Sequence, residues 1–162
     1  MSSATGCTPQ RGVPGPWSDR LPHFRLEFTP SHGAEIQSEY FVARDRAAEA
    51  IAAMRAVGPP LHGLLQVAEL RTMAADELWL SPQHGRATLG IHFTWRRDQA
   101  AVERALADVE GALVPLGATP HWGKLFLTPP RPERADDFRA LARRLDPRGA
   151  FRNAWLGDSV GL

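Results

Sequence analysis

Five polar side chains interrupt apolar, strand-like runs of the sequence, and four of them form pairs with one residue between the partners. They are Glu69 and Arg71, His92 and Thr94, and Lys124. Residues i and i+2 of a strand point to the same face of a sheet. We therefore expect each run to project its polar groups to one side and its apolar groups to the other. A carboxylate, a guanidinium, an imidazole, a hydroxyl and an ammonium on one sheet face would suit a polyhydroxylated substrate.

Each of these residues also has an ordinary structural explanation. A strand salt bridge on a solvated face accounts for Glu69 and Arg71 about as well as a site does. A histidine beside a domain contact accounts for His92, and a solvated lysine on an edge strand accounts for Lys124. Convergence of the whole set on one side of a predicted sheet is what favours a site, and spacing alone gives a hypothesis.

The composition is that of an ordinary globular domain. The 162 residues are 43% hydrophobic and 23% charged, which suits one domain with a buried core. The formal net charge of +1 gives no reason to expect nucleic acid or an anionic membrane as a partner. Cys7 is the one cysteine, which excludes an internal disulfide and a cysteine-based zinc site, and no other metal site is predicted. Because the sequence shows no signal-peptide pattern and no apolar run of membrane-spanning length, we expect a cytoplasmic protein without an intrinsic membrane anchor.

Apolar periodicity predicts the elements that must position these side chains. Residues 1–34 are rich in Gly, Pro and Ser and are expected to form an irregular arm. The patterns predict strands at 36–42, 64–73, 87–95 and 120–127 and helices at 47–57, 98–113 and 136–145. Asp45 and Asp98 are the expected N-caps of the first two helices, and Gly58-Pro59-Pro60 is the expected end of the first.

The predicted order is strand, helix, strand, strand, helix, strand, followed by a further helical segment toward the C terminus. This is the α+β, ferredoxin-like βαββαβ arrangement, in which two helices cover one face of a four-stranded antiparallel sheet. Both polar pairs then fall on the face that the helices leave open, and Lys124 joins them from the last strand. Leu65, Val67 and Met73 are expected on the same face, so this face is predicted to pack on another domain or chain.

Short motifs of a known family run through almost the whole chain. They are Gly12-Val-Pro-Gly-Pro-Trp, Leu21-Pro-His-Phe-Arg, Gln37-Ser-Glu-Tyr, Glu69-Leu-Arg-Thr, Ile91-His-Phe-Thr-Trp, His121-Trp-Gly-Lys-Leu-Phe and Asp146-Pro-Arg-Gly-Ala-Phe-Arg-Asn. Together they resemble the C-terminal substrate domain of the alditol oxidases, which are close kin of D-arabinono-1,4-lactone oxidase and L-gulonolactone oxidase. The last two motifs are the most specific part of the set.

The resemblance implies an FAD-dependent oxidase of the vanillyl-alcohol-oxidase type. In this family an N-terminal domain binds FAD, and a C-terminal cap domain similar to this chain covers the flavin and holds an alditol or a sugar 1,4-lactone. The substrate gives a hydride to the flavin, and O2 then reoxidises the flavin and is reduced to H2O2. By resemblance, the pocket is lined by Glu69, Arg71, His92, Thr94 and Lys124.

The roles expected of these residues follow from the hydroxyl proton that a carbinol loses during hydride transfer. His92 is the candidate for assisting that proton transfer, with Glu69 binding or orienting hydroxyls. Arg71 and Lys124 can hydrogen-bond the reacting oxygen and favour negative charge on it or on the reduced flavin. Thr94 can bind another hydroxyl. Which group acts as the base stays open, as does the preference between alditol and aldonolactone, and no residue is assigned to the cofactor.

The chain departs from the family pattern in a way that decides its predicted activity. We expect this chain to lack the FAD-binding domain, residues 35–162 to be the cap domain, and FAD to be bound by a domain or chain not present here. We therefore expect the chain to be inactive alone, whether it is a gene fragment or half of a two-chain enzyme. The alternative is a non-catalytic polyol-binding or interaction module that keeps the cap fold. RNA binding is set aside, because residues 87–95 lack the stacking-aromatic run of an RNA-recognition motif.

Overall fold

The computed structural model describes residues 14–17 and 33–162. The chain divides into two units, residues 1–34 and 35–162, and every strand and helix named below belongs to the second. Most of the arm predicted for residues 1–34 lies outside the described residues. Its irregular character therefore stays a prediction, as does the assignment of residues 35–162 to a cap domain.

Four strands of the described chain form one sheet. They are β1 (Glu35–Ala43), β2 (Leu65–Met73), β3 (Thr88–Arg96) and β4 (Thr119–Pro120). Their order in the sheet is β2-β3-β1-β4, and each neighbouring pair is antiparallel. The predicted α+β class is confirmed, and this strand order is consistent with the ferredoxin-like arrangement.

Four α-helices complete the described part of the chain. They are α1 (Ala47–Leu61), α2 (Gln99–Leu113), α3 (Ala135–Leu145) and α4 (Ala154–Val160). Helix α2 begins as predicted, because the Asp98 carboxylate accepts the backbone N–H of Ala101 at 3.0 Å and so satisfies one donor of the first turn. No helix within residues 14–17 or 33–162 is long and apolar enough to cross a membrane.

The hydrophobic core lies between one face of the sheet and helices α1 and α2. Its buried members include Tyr40, Val42, Leu61, Leu89, Ile91, Phe93, Trp95, Val102, Leu106, Val109 and Leu113. The predicted inward direction of the alternate β3 residues is thereby confirmed. Successive strand residues face opposite ways, so the residues between them belong to the other face. We call this the site face, and its polar members include Glu39, Glu69, Arg71, His92 and Thr94.

Helix α1 starts at Ala47 as predicted, but its predicted N-cap and its predicted C-terminal end are wrong. Asp45 lies in a 3-10 turn (Arg44–Arg46) that precedes the helix. The helix continues through Pro59 and Pro60 to Leu61, although each proline removes a backbone donor. Leu61 is 3% exposed, and its burial in the core favours the additional turn.

The fourth strand is much shorter than predicted. Of the residues 120–127 predicted for this strand, only Pro120 belongs to the observed β4 (Thr119–Pro120), and the chain then turns. The His121 ring explains the difference, because its Nδ1 accepts the N–H of Gly123 at 3.0 Å and such local bonds compete with a strand ladder. Backbone contact with β1 resumes at the N–H of Leu125, at 2.9 Å from a β1 carbonyl. Lys124 therefore enters the sheet region from a turn and not from a strand.

A β-bulge in β2 changes the face of one predicted residue. The register slips between Leu65 and Val67, so an extra residue turns Leu65 toward Trp95 and the core. The prediction that placed Leu65 on the site face is therefore wrong. Val67 and Met73 lie on the site face as expected.

Candidate active site

Three neighbouring strands bring the polar residues into one row. In the sheet register, His92 of β3 is paired with Glu69 of β2 on one side and with Glu39 of β1 on the other. Residues directly opposite each other share a face. Arg71 and Thr94 lie two positions further along their strands and therefore point to the same face. The structure thus brings together every strand residue that the sequence predicted for the site.

Lys124 reaches this row from the turn after β4. Its Nζ lies 3.0 Å from Nδ1 of His92 and forms a hydrogen-bonded ion pair with the Glu39 carboxylate. The Lys124 side chain is only 14% exposed. A cation this far removed from water needs a charged or polar partner, and Glu39 supplies it.

The remaining contacts join the row into one network. Nε2 of His92 is 3.1 Å from Oγ1 of Thr94. Arg71 donates from Nε to Glu69 at 3.1 Å, and its Nη1 lies 3.5 Å from each oxygen of Glu39. We call these residues, with Lys124, the polar network.

Glu39 is the member of the polar network that the sequence analysis did not identify. It is 4% exposed and contacts Arg71, His92 and Lys124. Two signals were available. Gln37 and Glu39 have the same spacing as the predicted pairs, and Lys124 is the one lysine among 19 basic side chains. A lone lysine in a chain that otherwise uses arginine is reason to look for its carboxylate partner.

Glu39 stays ionised at pH values well below neutral. Burial raises the pKa of its carboxyl, but the hydrogen bond from Lys124 and the positive charges of Lys124 and Arg71 outweigh burial. Together they lower the pKa from 4.5 to about 2. Burial and the charge of Lys124 also lower the pKa of His121, in the same turn. The centre of the network is therefore a carboxylate held between two cations.

The lack of a side chain at Gly90 leaves space for the Glu39 carboxylate. A Cβ at this position would lie 3.1 Å from Oε1 of Glu39, 3.0 Å from Cε of Met73 and 3.3 Å from Cε1 of Phe41. These separations are shorter than optimal carbon contacts, so a side chain here would displace the carboxylate or its neighbours. A glycine at this point of β3 is one of the features that build the site.

The two sides of the polar network differ in exposure. The side chains of Arg71 and Glu69 are 40% and 43% exposed, whereas that of His92 is 5% exposed. Arg71 and Glu69 are therefore accessible to a ligand. The buried members of the network hold their own polar groups in position next to these two side chains. Hydroxyl groups both donate and accept hydrogen bonds, so a polyol can satisfy this mixture of N–H donors and a carboxylate.

A cavity of about 190 Å³ lies elsewhere in the described residues, with Ser81, His84, Arg86 and Trp122 among its lining. None of its described lining residues belongs to the polar network. The network lies on a sheet face instead, which suits one wall of a pocket.

The helix starts among the described residues are not of the type that binds the pyrophosphate of a dinucleotide. The helices of residues 33–162 start after Arg46, Asp98, Arg134 and Asn153, and none of these starts is the glycine-rich loop that holds a pyrophosphate. In the same part of the chain, no group of three or more His, Cys, Asp or Glu side chains is placed to hold a metal ion. The chemistry that these residues offer is the binding and orientation of a polar ligand.

The chain is similar to known oxidases over nearly its whole length. A family model described as D-arabinono-1,4-lactone oxidase matches residues 34–159, a span that includes the entire polar network. An alditol oxidase from Streptomyces sp. (strain IKD472 / FERM P-14339) is 51% identical over 160 residues. The alignment covers 96% of this chain but 39% of that relative, so the chain spans well under half of the relative's length.

Proposed function

The chain belongs to the D-arabinono-1,4-lactone oxidase family, and on this basis we propose that it forms the substrate-binding part of an FAD-dependent oxidase of alditols or sugar 1,4-lactones. The observation that carries the proposal is the convergence of Glu69, Arg71, His92, Thr94 and Lys124 in one hydrogen-bonded network on the site face. Two strands and a turn that are distant in sequence contribute these residues. A solvated salt bridge or a lone edge lysine would not need that convergence.

The residues of the chain bind the substrate and stabilise charge in the proposed reaction. When bound by a region outside the described residues, FAD supplies the acceptor for the hydride and the electrons that reduce O2 to H2O2. Arg71 and Lys124 donate to the reacting oxygen and favour the negative charge that develops on it. Glu69, the more exposed carboxylate, accepts a hydrogen bond from a neighbouring hydroxyl.

His92, the candidate for assisting proton transfer, has both ring nitrogens engaged. Nδ1 is 3.0 Å from Lys124 and Nε2 is 3.1 Å from Thr94. We therefore assign direct contact with the substrate to Lys124 and Thr94, and the link between them to His92.

A second function is favoured by the exposure of Arg71 and Glu69 beside the buried part of the network, because this arrangement can bind a polyol without a cofactor. In that case the chain binds a polyol through the same network and carries out no oxidation. The two functions differ in what happens when a flavin-binding region is supplied.

The test is a chimera in which this chain replaces the matching segment of the Streptomyces alditol oxidase, assayed for alditol-dependent hydrogen peroxide. We expect peroxide from the chimera and a loss of about 100-fold or more in kcat/KM in Lys124→Ala, because one donor to a developing charge is worth roughly that factor. Arg71→Ala should also lose activity. Arg97→Ala, which removes an exposed arginine after β3, is its matched control and should not.

Near-normal turnover in Lys124→Ala would remove Lys124 from the proposed site. A chimera that makes no peroxide, combined with calorimetric binding of an alditol by the chain alone, would favour the binding module.

A further inference from the structure

The contact between Lys124 and His92 fixes the protonation of the histidine ring. An ammonium group has only N–H donors, so at 3.0 Å from Nζ the Nδ1 atom of His92 must accept. The ring is then neutral, and its hydrogen is on Nε2. That nitrogen lies 3.1 Å from Oγ1 of Thr94 and donates to it.

Glu39 competes for the same ring nitrogen, and the distances decide between the two partners. Its Oε2 lies 3.4 Å from Nδ1 of His92 and could accept a hydrogen there only if Nδ1 carried one. A hydrogen on Nδ1 would point at the Lys124 ammonium at 3.0 Å and leave two donors facing each other. Glu39 bonds Lys124 directly instead, so the carboxylate acts on His92 through the lysine.

The direction of each hydrogen bond in the network follows from this arrangement. Lys124 donates one N–H to Glu39 and one to His92, and it has a third N–H left. Thr94 accepts from His92, which leaves the hydrogen of its own hydroxyl available to a ligand. The network therefore presents hydrogen-bond donors from both Lys124 and Thr94.

We propose that Glu39 and Lys124 hold His92 as a neutral, Nε2-protonated ring, which makes Glu39 and His92 positioning residues that aim the Thr94 hydroxyl and one Lys124 N–H at two different oxygens of a substrate. The consequence for the substrate rests on the proposed function. His92 has no free lone pair for the hydroxyl proton of the substrate, so it does not act as the base. The substrate oxygen in contact with Lys124 acts as a hydrogen-bond acceptor, and so does the separate oxygen in contact with Thr94.

The first test reads the tautomer of His92 in the whole chain without flavin or substrate. Long-range 1H–15N spectra of the 15N-histidine-labelled protein distinguish the two tautomers, and the loss of one signal set in His92→Gln identifies the residue. We expect the Nε2–H tautomer. In Lys124→Met we expect Nδ1–H, because Glu39 then accepts the hydrogen directly.

A wild-type chain with the Nδ1–H or the doubly protonated ring would overturn the inference, and so would a folded Lys124→Met with the tautomer unchanged. The wild-type spectrum decides the matter even if Lys124→Met does not fold. Both measurements are independent of activity. A chimera that fails to oxidise alditols would therefore count against the proposed function and not against this arrangement.

The second test measures how strongly Glu39 protects the ammonium hydrogens of Lys124 from exchange with water. Because Lys124 is the one lysine of the chain, 15N-lysine labelling gives a single side-chain ammonium signal. In Glu39→Gln we expect its hydrogens to exchange with water about tenfold faster or more, since a bond between charged groups is lost. Glu69→Gln makes the same chemical change beside Arg71 and is the matched control, with exchange expected within about twofold of the wild type. Equal exchange rates in the wild type and Glu39→Gln would refute the role of Glu39.

Discussion

The buried Glu39 carboxylate ties the site to the stability of the domain. It lies on the strand between β3 and β4 and contacts a guanidinium, an imidazole and an ammonium from three other segments. Removing one partner of a buried ion pair leaves the other charge uncompensated, which typically costs about 3–5 kcal/mol. A variant of Glu39 should therefore lower stability as well as disturb the network.

The pH dependence of that stability follows from the pKa of Glu39. The pKa falls from 4.5, the ordinary value, to about 2 in the fold, so the unfolded chain binds this proton more readily than the folded chain. The contribution to stability is complete above about pH 4.5 and disappears as the pH falls toward about 2. A shift of this size corresponds to on the order of 3 kcal/mol.

We therefore expect Glu39→Gln to be clearly less stable than the wild type near pH 6 and the gap to narrow markedly near about pH 3. Urea unfolding of both chains at the two pH values measures it. Glu49→Gln, which changes an exposed glutamate paired with Arg46, should show a small difference at both values. A gap that stays constant across this range would contradict the lowered pKa.

At this scale, local spacing was enough to predict part of the site. Glu69 and Arg71, like His92 and Thr94, obey the i, i+2 rule, which holds within any regular strand whatever its neighbours. Glu39 could not be assigned to the site in the same way, because its contacts depend on which strands flank β1 and on the register of their pairing. That information is carried by contacts across the sheet and not by the residues next to Glu39.

At the scale of elements, helix α2 anchors the segment that follows the Lys124 turn. Its Glu110 is 5% exposed, accepts the Tyr40 hydroxyl at 2.7 Å, and accepts the backbone N–H groups of Leu127 and Thr128 at 2.7 and 2.8 Å. Burial and the bond to Glu110 raise the pKa of Tyr40, so its phenol stays a donor. The helix thus fixes the far end of the turn that carries the ammonium.

Replacing Glu110 with glutamine should loosen this anchor. The amide turns an N–H2 group toward one of the three donors, and we expect a loss of about 2 kcal/mol in the free energy of unfolding. Hydrogen exchange at the Leu127 and Thr128 amides should accelerate. Glu103→Gln, on the exposed side of the same helix, where Glu103 bonds Gln99, should change stability by about 0.5 kcal/mol or less.

Urea unfolding gives the first quantity, and amide exchange followed by NMR gives the second. Unchanged protection of both amides in Glu110→Gln would show that the carboxylate does not hold the segment.

The elements differ in how far the sequence could predict them, for a physical reason. Helix α2 and strands β1 to β3 follow from apolar spacing, and the Asp98 cap follows from a local bond. The short β4 and the bulge at Leu65 depend on a His121 side-chain bond and on packing against Trp95. The extra turn of α1 depends on burying Leu61. Each of these features depends on contacts made in the folded chain, and the local pattern of apolar residues does not predict those contacts.

At the scale of the whole molecule, the two faces of the sheet have different roles. Helices α1 and α2 and the core cover one face. The other carries the polar network and also Val67, which is 45% exposed. Val67 and the exposed Arg71 and Glu69 give this face a mixed apolar and charged surface. If the proposed function holds, we expect a flavin-binding region, corresponding to the rest of the alditol oxidase that the chain matches, to pack on this face.

We expect the isolated chain supplied with FAD to make no alditol-dependent peroxide, because the proposed function gives this chain the substrate-binding part, while a bound flavin carries the hydride chemistry. Adding the separately produced remainder of the Streptomyces enzyme should restore peroxide, with a complex visible by size-exclusion chromatography. Val67→Asp should weaken the complex, since it places a charge on the docking face. Leu70→Asp is the matched control, because Leu70 is 56% exposed but is paired with Ile91 and faces the helix side. Peroxide from the isolated chain, or equal weakening by both substitutions, would show that the site face does not receive the flavin-binding region.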